Sequence, residues 1–248
     1  NPAKAEDVHL SILNTYRDDF GKYASGRELG RLQGLFEKIA GVIGQKIKYT
    51  NLSREEQARD IRAALDLLAG ARVIHKVHHT SGSGVPLAAA ASREIYKIYF
   101  LDIGLLNALL GVSWKVFRST PLLNQGALAE QFVFQNIQSE AFKRDTEIYY
   151  WLREGKAQNA EVDFLIAHEG KVIPIEVKSG KSGSLRSLHQ FVYEKETRVA
   201  VRLDLNPPSL TSIKHDLVTS EGTRSIAFKL LSLPLYMAGE VTRLLDEC

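Results

Sequence analysis

Apolar residues recur at helical spacing through the first third of the chain and at alternate positions through much of the rest. Leu29, Leu32, Leu35, Phe36, Ile39, Val42 and Ile43 predict a helix, with Gly30, Gly34 and Gly41 inside it. A helix over residues 4–20 is expected before it, with Val8, Ile12, Leu13 and Tyr16 on one face. Ser53-Arg54-Glu55-Glu56 has the form of a capping box for a third helix, whose stripe is Ala58, Ile61, Leu65 and Leu68 and whose stop is Gly70. Val73, His75, Val77 and His79 then alternate as a strand. Ser81-Gly82-Ser83-Gly84 supplies a turn, and Ile95, Tyr96, Ile98, Tyr99 and Phe100 fit a return strand. Leu101 to Gly111 reads as a short capped helix ending at glycine. Residues 112–124 look like a linker and set the expected domain boundary, giving units 1–117 and 118–248.

The second unit opens with a helix over about 125–139, where Ala127, Val133, Phe134 and Ile137 form the buried stripe. Glu130 lies within that stripe, and a carboxylate on an apolar face needs a partner. A strand at 148–151 follows, then a hairpin over Glu161–Lys178, then the loop Ser179-Gly180-Lys181-Ser182-Gly183-Ser184. A helix turns Leu185, Leu188, Phe191 and Val192 inward, with Arg186, Gln190 and Tyr193 on its other side. Val199, Val201 and Leu203 mark a strand ended by Pro207-Pro208. A last strand spans 226–231, and a helix opens at Pro234. This order predicts an α/β (α+β) protein: an N-terminal winged-helix-like helical segment, then a mixed sheet flanked by helices.

The hairpin carries the most chemical information. With Glu169-Gly170 as its turn, His168 faces Lys171 and every further pair keeps the same index sum. Leu165 then opposes Pro174, Asp163 opposes Glu176, and Glu161 opposes Lys178. Strict alternation puts Val162, Phe164 and Ile166 on one face and the charged set on the other. Asp163 and Glu176 fall on a non-hydrogen-bonded pair, with Cα atoms about 4.5 Å apart. Like charges directly opposite destabilise a sheet. A shared proton, a divalent cation or the Lys178 ammonium would offset the repulsion. A solvated polar face with a surface Glu161–Lys178 pair is the plainer alternative.

Bulk properties narrow the setting. The 248 residues are 44% hydrophobic and 25% charged, ordinary for a soluble globular chain able to hold two domains. The most apolar stretch, Phe228 to Met237, is broken by Lys229, Ser232 and Pro234, so no membrane span or signal peptide is expected. The one cysteine, Cys248, is terminal; a cytoplasmic, reducing compartment is expected. A net charge of +3 permits nucleic-acid binding without arguing for it.

Several motifs fail on spacing. Gly180-Lys181-Ser182 resembles the end of a phosphate-binding P-loop, but position 175 is Ile where that motif needs Gly. His75 and His79 are four apart on a strand, too distant to share one ion. The first hairpin, with Arg72, His75, Lys76, His78 and His79, is the more basic part of the helical segment. DNA contact and packing against protein remain equal readings for it.

What remains is Asp163, Glu176 and Lys178. Phosphodiester hydrolysis needs a hard cation held by carboxylates, and a lysine can orient water or stabilise charge on the phosphorus. Asp-(spacer)-Glu-x-Lys across adjacent strands is the sequence form of the PD-(D/E)XK nucleases. Tyr96-Lys97-Ile98-Tyr99-Phe100-Leu101-Asp102-Ile103-Gly104-Leu105-Leu106 is similar to a hallmark of the C-terminal region of prokaryotic AAA-type ATPases. So are Gly126-Ala127-Leu128-Ala129-Glu130, Glu161-Val162-Asp163-Phe164, Ile175-Glu176-Val177-Lys178-Ser179 and Leu233-Pro234-Leu235-Tyr236. The resemblance implies a winged-helix-like segment followed by a restriction-endonuclease-like domain, with a P-loop ATPase domain upstream. A chain that opens at Asn1 fits the C-terminal part of such a protein.

The expected site is therefore Asp163 and Glu176 holding Mg²⁺ or Mn²⁺, Lys178 assisting water, and Glu130 supporting them. Gln190, Tyr193, Lys181, Lys76 and Arg72 are the expected DNA contacts. The expected activity is metal-dependent hydrolysis of DNA. The alternative is a catalytically inactive module of the same fold that contacts DNA or protein.

Overall fold

The computed structural model describes residues 2–113, 115–116, 125–143, 146–154, 159–219 and 222–247. The stretch 117–124, where the domain boundary was expected, and Cys248 lie outside the described residues. The protein is mixed α/β, with an N-terminal helical part and an eight-stranded mixed sheet. Its contacts group into two compact units, residues 1–76 with 96–131 and residues 77–95 with 132–248.

The first unit is mainly helical: α1 (Pro2–Asp19), α2 (Gly26–Ile39), α3 (Tyr49–Leu52), α4 (Ala58–Gly70) and α5 (Ile103–Leu109). Leu32, Leu35, Phe36 and Ile39 of α2 are buried, as are Ile61, Leu65 and Leu68 of α4. The expected stripe of α1 is thinner than its spacing suggests: Leu13 is buried, whereas Val8 and Ile12 are exposed. The capping box at Ser53 does not form. Ser53 ends α3, and α4 starts five residues later with Gln57 at its N-cap. Glu56, the expected capping partner, instead accepts from Arg31 Nε at 2.9 Å, and Asp60 takes the same guanidinium at 3.4 Å. An ion pair between α2 and α4 outcompetes a local cap. The α5 cap does form, with Asp102 Oδ1 accepting from Leu105 N at 3.0 Å.

Two strands and one long helix run from one unit into the other: β1 (Ile74–Thr80), β2 (Ala91–Phe100) and α6 (Gln125–Lys143). The second unit adds β3 (Tyr149–Arg153), β4 (Ala160–His168), β5 (Lys171–Val177), α7 (Arg186–Lys195), β6 (Val199–Asp204), β7 (Ser209–Thr219), β8 (Gly222–Pro234) and α8 (Val241–Leu245). The sheet order is β2-β1-β3-β4-β5-β6-β8-β7. The outer half of the first hairpin is thus not a free wing, since His78 and His79 of β1 pair in parallel with Tyr149 and Tyr150 of β3.

The β4–β5 hairpin has the expected register, with His168 opposite Lys171 and Leu165 opposite Pro174. Glu169 and Gly170 both take positive φ, at 46° and 74°, which a two-residue turn of this hand requires. Pro174 offers β6 no N–H, and the β5–β6 ladder accordingly starts beyond it, at Ile175–Val201.

Strict alternation along β4 does not hold. Tyr149 pairs with Leu165 and Trp151 with Val162, so two residues of β4, Asp163 and Phe164, stand against Tyr150 alone. This is a β-bulge, and it changes which side chains share a face. Val162 and Leu165 join one core cluster with Leu188, Phe191 and Val192 of α7. Phe164 instead meets Phe134 of α6, with ring centroids 6.2 Å apart. The expected grouping of Val162 with Phe164 is corrected accordingly.

β7 was also not foreseen. Only Leu217 among its described side chains is buried, so its apolar pattern is too thin to read as a strand in the sequence. It is held by pairing with β8 from Ser209–Ser232 to Thr219–Gly222.

Packing against α7 closes the second unit's core. Phe191 is fully buried and meets Trp151 edge-on at 5.2 Å. Gly82 lies against the same ring: a Cβ there would come 2.9 Å from Phe191 Cε2. Phe191→Ala is expected to destabilise the chain by about 3–5 kcal/mol, measured as a shift of the urea midpoint.

His189 of α7 stacks 4.4 Å from His215 of β7 and 5.7 Å from Phe228. Burial, and then the neighbouring His215, lower its pKa from 6.5. A histidine lowered on folding stabilises while neutral, so its contribution is complete above the unfolded value and declines as pH falls below it. Thermal stability should drop from about pH 7 to about pH 5, and His189→Gln should flatten that drop in pH-resolved melting curves.

Candidate metal and phosphate site

The carboxylates singled out in the hairpin are buried: Asp163 is 9% exposed and Glu176 is 5%. The bulge re-aims Asp163. The β4–β5 ladder runs as far as Phe164–Ile175, and beyond it Asp163 Oδ2 accepts from Val177 N at 2.7 Å. A side-chain acceptor thus takes over where the backbone ladder stops, which locks the carboxylate against the C-terminal end of β5.

Glu176 faces the other way along β5 from Ile175 and stands beside Arg202 of β6. Its Oε1 receives Lys178 Nζ at 2.6 Å. The lysine stem has room because position 183 is glycine; a Cβ there would approach Lys178 Cδ to 2.6 Å. The 179–184 loop is itself held to the end of β6, since Asn206 Nδ2 donates to the Lys181 carbonyl at 2.8 Å.

Reading the sequence alone missed Arg202 and Asp204. They are two apart on β6 and therefore share the face of Glu176. Asp204 is 1% exposed and fully engaged: Oδ1 accepts from Asn206 N at 2.7 Å, Oδ2 accepts from Asn206 Nδ2 at 2.7 Å, and Oδ2 forms an ion pair with Arg202 Nε at 2.9 Å. Ser232 of β8, also buried, pairs with Arg202 and extends the polar face. Arg202 and Asp204 alternate within an otherwise apolar strand, and that was the available signal.

The other expected residues are distributed more widely. Gln190 donates to Glu194 at 3.0 Å, Glu194 in turn pairs with Arg153, and Tyr193 packs on the core cluster. Lys181 is exposed. In the first unit, Lys76 pairs with Asp66 at 2.6 Å and lies over the Tyr96 ring at 4.8 Å, while Arg72 is exposed with φ of 57°. Glu130 also belongs to the first unit. Its Oε2 accepts from Tyr99 Oη at 3.0 Å and lies 3.6 Å from Nζ of Lys97, which is itself 1% exposed. Gly44 leaves room for that carboxylate, as a Cβ there would lie 3.0 Å from Oε2. Countering a buried ammonium accounts for a glutamate on an apolar helix face.

At the opposite end of β4 and β5, His168, Glu169 and Asp246 bring one ligand atom each within 4.8 Å. The His168–Asp246 distance is 2.9 Å, and both carboxylates are exposed. A cavity of about 700 Å³ opens at that end too, between Gly82–Gly84, Lys171 and Lys195–Val199, and none of the expected site residues line it.

Residues 1–116 match one domain of unknown function, DUF8612, and residues 125–229 match another, DUF4143. The second is a domain found in C-terminal regions associated with AAA-type ATPases. No curated protein matches the chain. No helix among the described residues is long and apolar enough to cross a membrane.

Asp204→Ala would leave Arg202 without its counter-charge on the sheet face. The expected loss is about 3 kcal/mol of unfolding free energy, the lower end for a broken buried pair because the arginine is partly exposed. Chemical denaturation of the variant beside Arg202→Ala checks it; the double variant should lose less than the sum of the two.

Proposed function

We propose that the second unit is a PD-(D/E)XK-type nuclease domain that hydrolyses DNA phosphodiesters with a divalent cation. The observation that carries this reading is the burial of Asp163 and Glu176 at the C-terminal end of β5, with Lys178 held on Glu176 at 2.6 Å. Ligand sites in α/β sheets favour the carboxyl ends of parallel strands, and β5, β6 and β8 are mutually parallel there.

The donor set fits a hard cation. Two carboxylates, with water and a phosphate oxygen completing the shell, is a common arrangement for Mg²⁺ or Mn²⁺. When bound between Asp163 and Glu176, the cation would polarise the phosphate and lower the pKa of the attacking water. Lys178 holds its ammonium beside that position, where it orients water or meets charge developing on the phosphoryl oxygens. Arg202 presents a guanidinium one strand away, suited to a nonbridging phosphate oxygen. Formally, Asp163, Glu176 and Asp204 against Lys178 and Arg202 leave one negative charge. A divalent cation makes it one positive charge, the complement of one phosphodiester. Glu130 has no part in this reading, since its carboxylate serves Lys97.

One observation favours the non-catalytic alternative. Lys178 and Arg202 already compensate the buried carboxylates, so the face is electrostatically viable without a cation. The two readings separate by experiment. Mn²⁺ should bind in calorimetry, and Mg²⁺ should support cleavage of plasmid or single-stranded DNA. Asp163→Ala with Glu176→Ala should abolish both, lowering cleavage by at least about a thousandfold. Cleavage that survives the double substitution would exclude this site, and absence of binding at millimolar Mn²⁺ would leave the non-catalytic reading.

A further inference from the structure

We propose that β7 pairs with β7 of a second copy of this chain, antiparallel about a two-fold axis at His215. The inference is independent of the nuclease reading. β7 is an edge of the eight-stranded sheet and runs eleven residues, Ser209–Thr219, without proline or glycine. The other edge, β2, is partly covered: Gly44 N donates to Ile98 O at 3.1 Å and Ile47 N to Tyr96 O at 2.9 Å. Among the described residues, no backbone hydrogen bond from outside the β7–β8 ladder reaches β7. A long open edge is a template for another strand, and protein chains usually shield it.

The β7–β8 register fixes which groups are open. The hairpin closes on Thr219–Gly222, and the pair closing a two-residue connection is hydrogen-bonded. Leu217, His215 and Ile213 therefore bond to β8. Ser212, Lys214, Asp216 and Val218 turn their N–H and C=O groups outward.

Charge then selects the register between copies. Lys214 and Asp216 have uncharged neighbours on β8, Ala227 and Ser225, and neither makes an ion pair or side-chain hydrogen bond among the described residues. Antiparallel pairing centred on His215 sets Lys214 of one copy opposite Asp216 of the other, twice. Ser212 then meets Val218, whose side chain is 83% exposed in the single chain, and Ile213 meets Leu217 on the opposite face. Centring the axis on Lys214 puts lysine against lysine, and centring it on Asp216 puts aspartate against aspartate. Opposite charges across a strand pair stabilise it and like charges destabilise it, so one register is favoured and its two neighbours are penalised. Lysine on an edge commonly repels a second strand. Here the aspartate two residues on makes the edge complementary to itself.

Sedimentation velocity of the 248-residue chain over a concentration series tests this. The unmodified chain should show a monomer–dimer equilibrium. Asp216→Lys should raise the dimer Kd by about tenfold or more, by setting lysine against lysine at both sites. Lys214→Asp combined with Asp216→Lys should restore it, because the exchanged pair is again self-complementary. Circular dichroism checks that the exposed substitutions leave each variant folded. A chain that stays monomeric throughout, a dimer indifferent to Asp216→Lys, or an exchange that fails to restore association would each overturn the proposal.

Discussion

Carboxylates buried on a sheet face must be compensated, and that requirement shapes the second unit. An uncompensated ionised group in a protein interior is far more costly than a lost hydrogen bond. Each buried acid here is met by a different device. Asp163 is turned by the bulge onto the Val177 N–H, Glu176 takes Lys178, and Asp204 takes Arg202 and Asn206. These devices draw together the ends of β4, β5 and β6 and the loop that follows β5. Without the glycine at position 183 the lysine stem could not lie where it does. The polar face is therefore a product of the fold's geometry and also a constraint on it.

The first unit solves a related problem differently. Lys97 is a buried cation, and Glu130 and Tyr99 supply the polar surroundings. Arg31 bridges Glu56 and Asp60 between helices in a similar way. In both places an acidic residue that suggests function or a local cap in the sequence is accounted for by a basic partner distant along the chain. This is why acidic residues on apolar faces are ambiguous until their partners are known.

The two ends of the central hairpin differ in chemistry. The C-terminal end of β5 collects buried charge under tight hydrogen-bond control. The turn end has an open cavity, the half-buried His168 and the exposed Glu169 and Asp246. A cavity by itself is a weaker guide to chemistry than buried, geometrically constrained ionisable groups. The proposed site rests on the latter.

Much of this was legible in the residues. Helical spacing marked α2 and α4, alternation marked β5 and β6, and a glycine turn set the β4–β5 register from His168–Lys171 to Phe164–Ile175. Pro174 foretold where β6 would begin to pair. These are local effects, decided by residues within a few positions of one another. What only the tertiary structure decided was non-local. The bulge at Asp163–Phe164 arises from pairing with β3, and no pattern within β4 announces it. Arg202 and Asp204 join the acidic face because β6 lies beside β5 in parallel register. Glu130 answers to Lys97, thirty-three positions earlier. β7 exists because β8 pairs with it along its length, although its own residues are too polar to predict it. Local sequence set most of the elements and the hairpin register; long-range pairing set which charges meet.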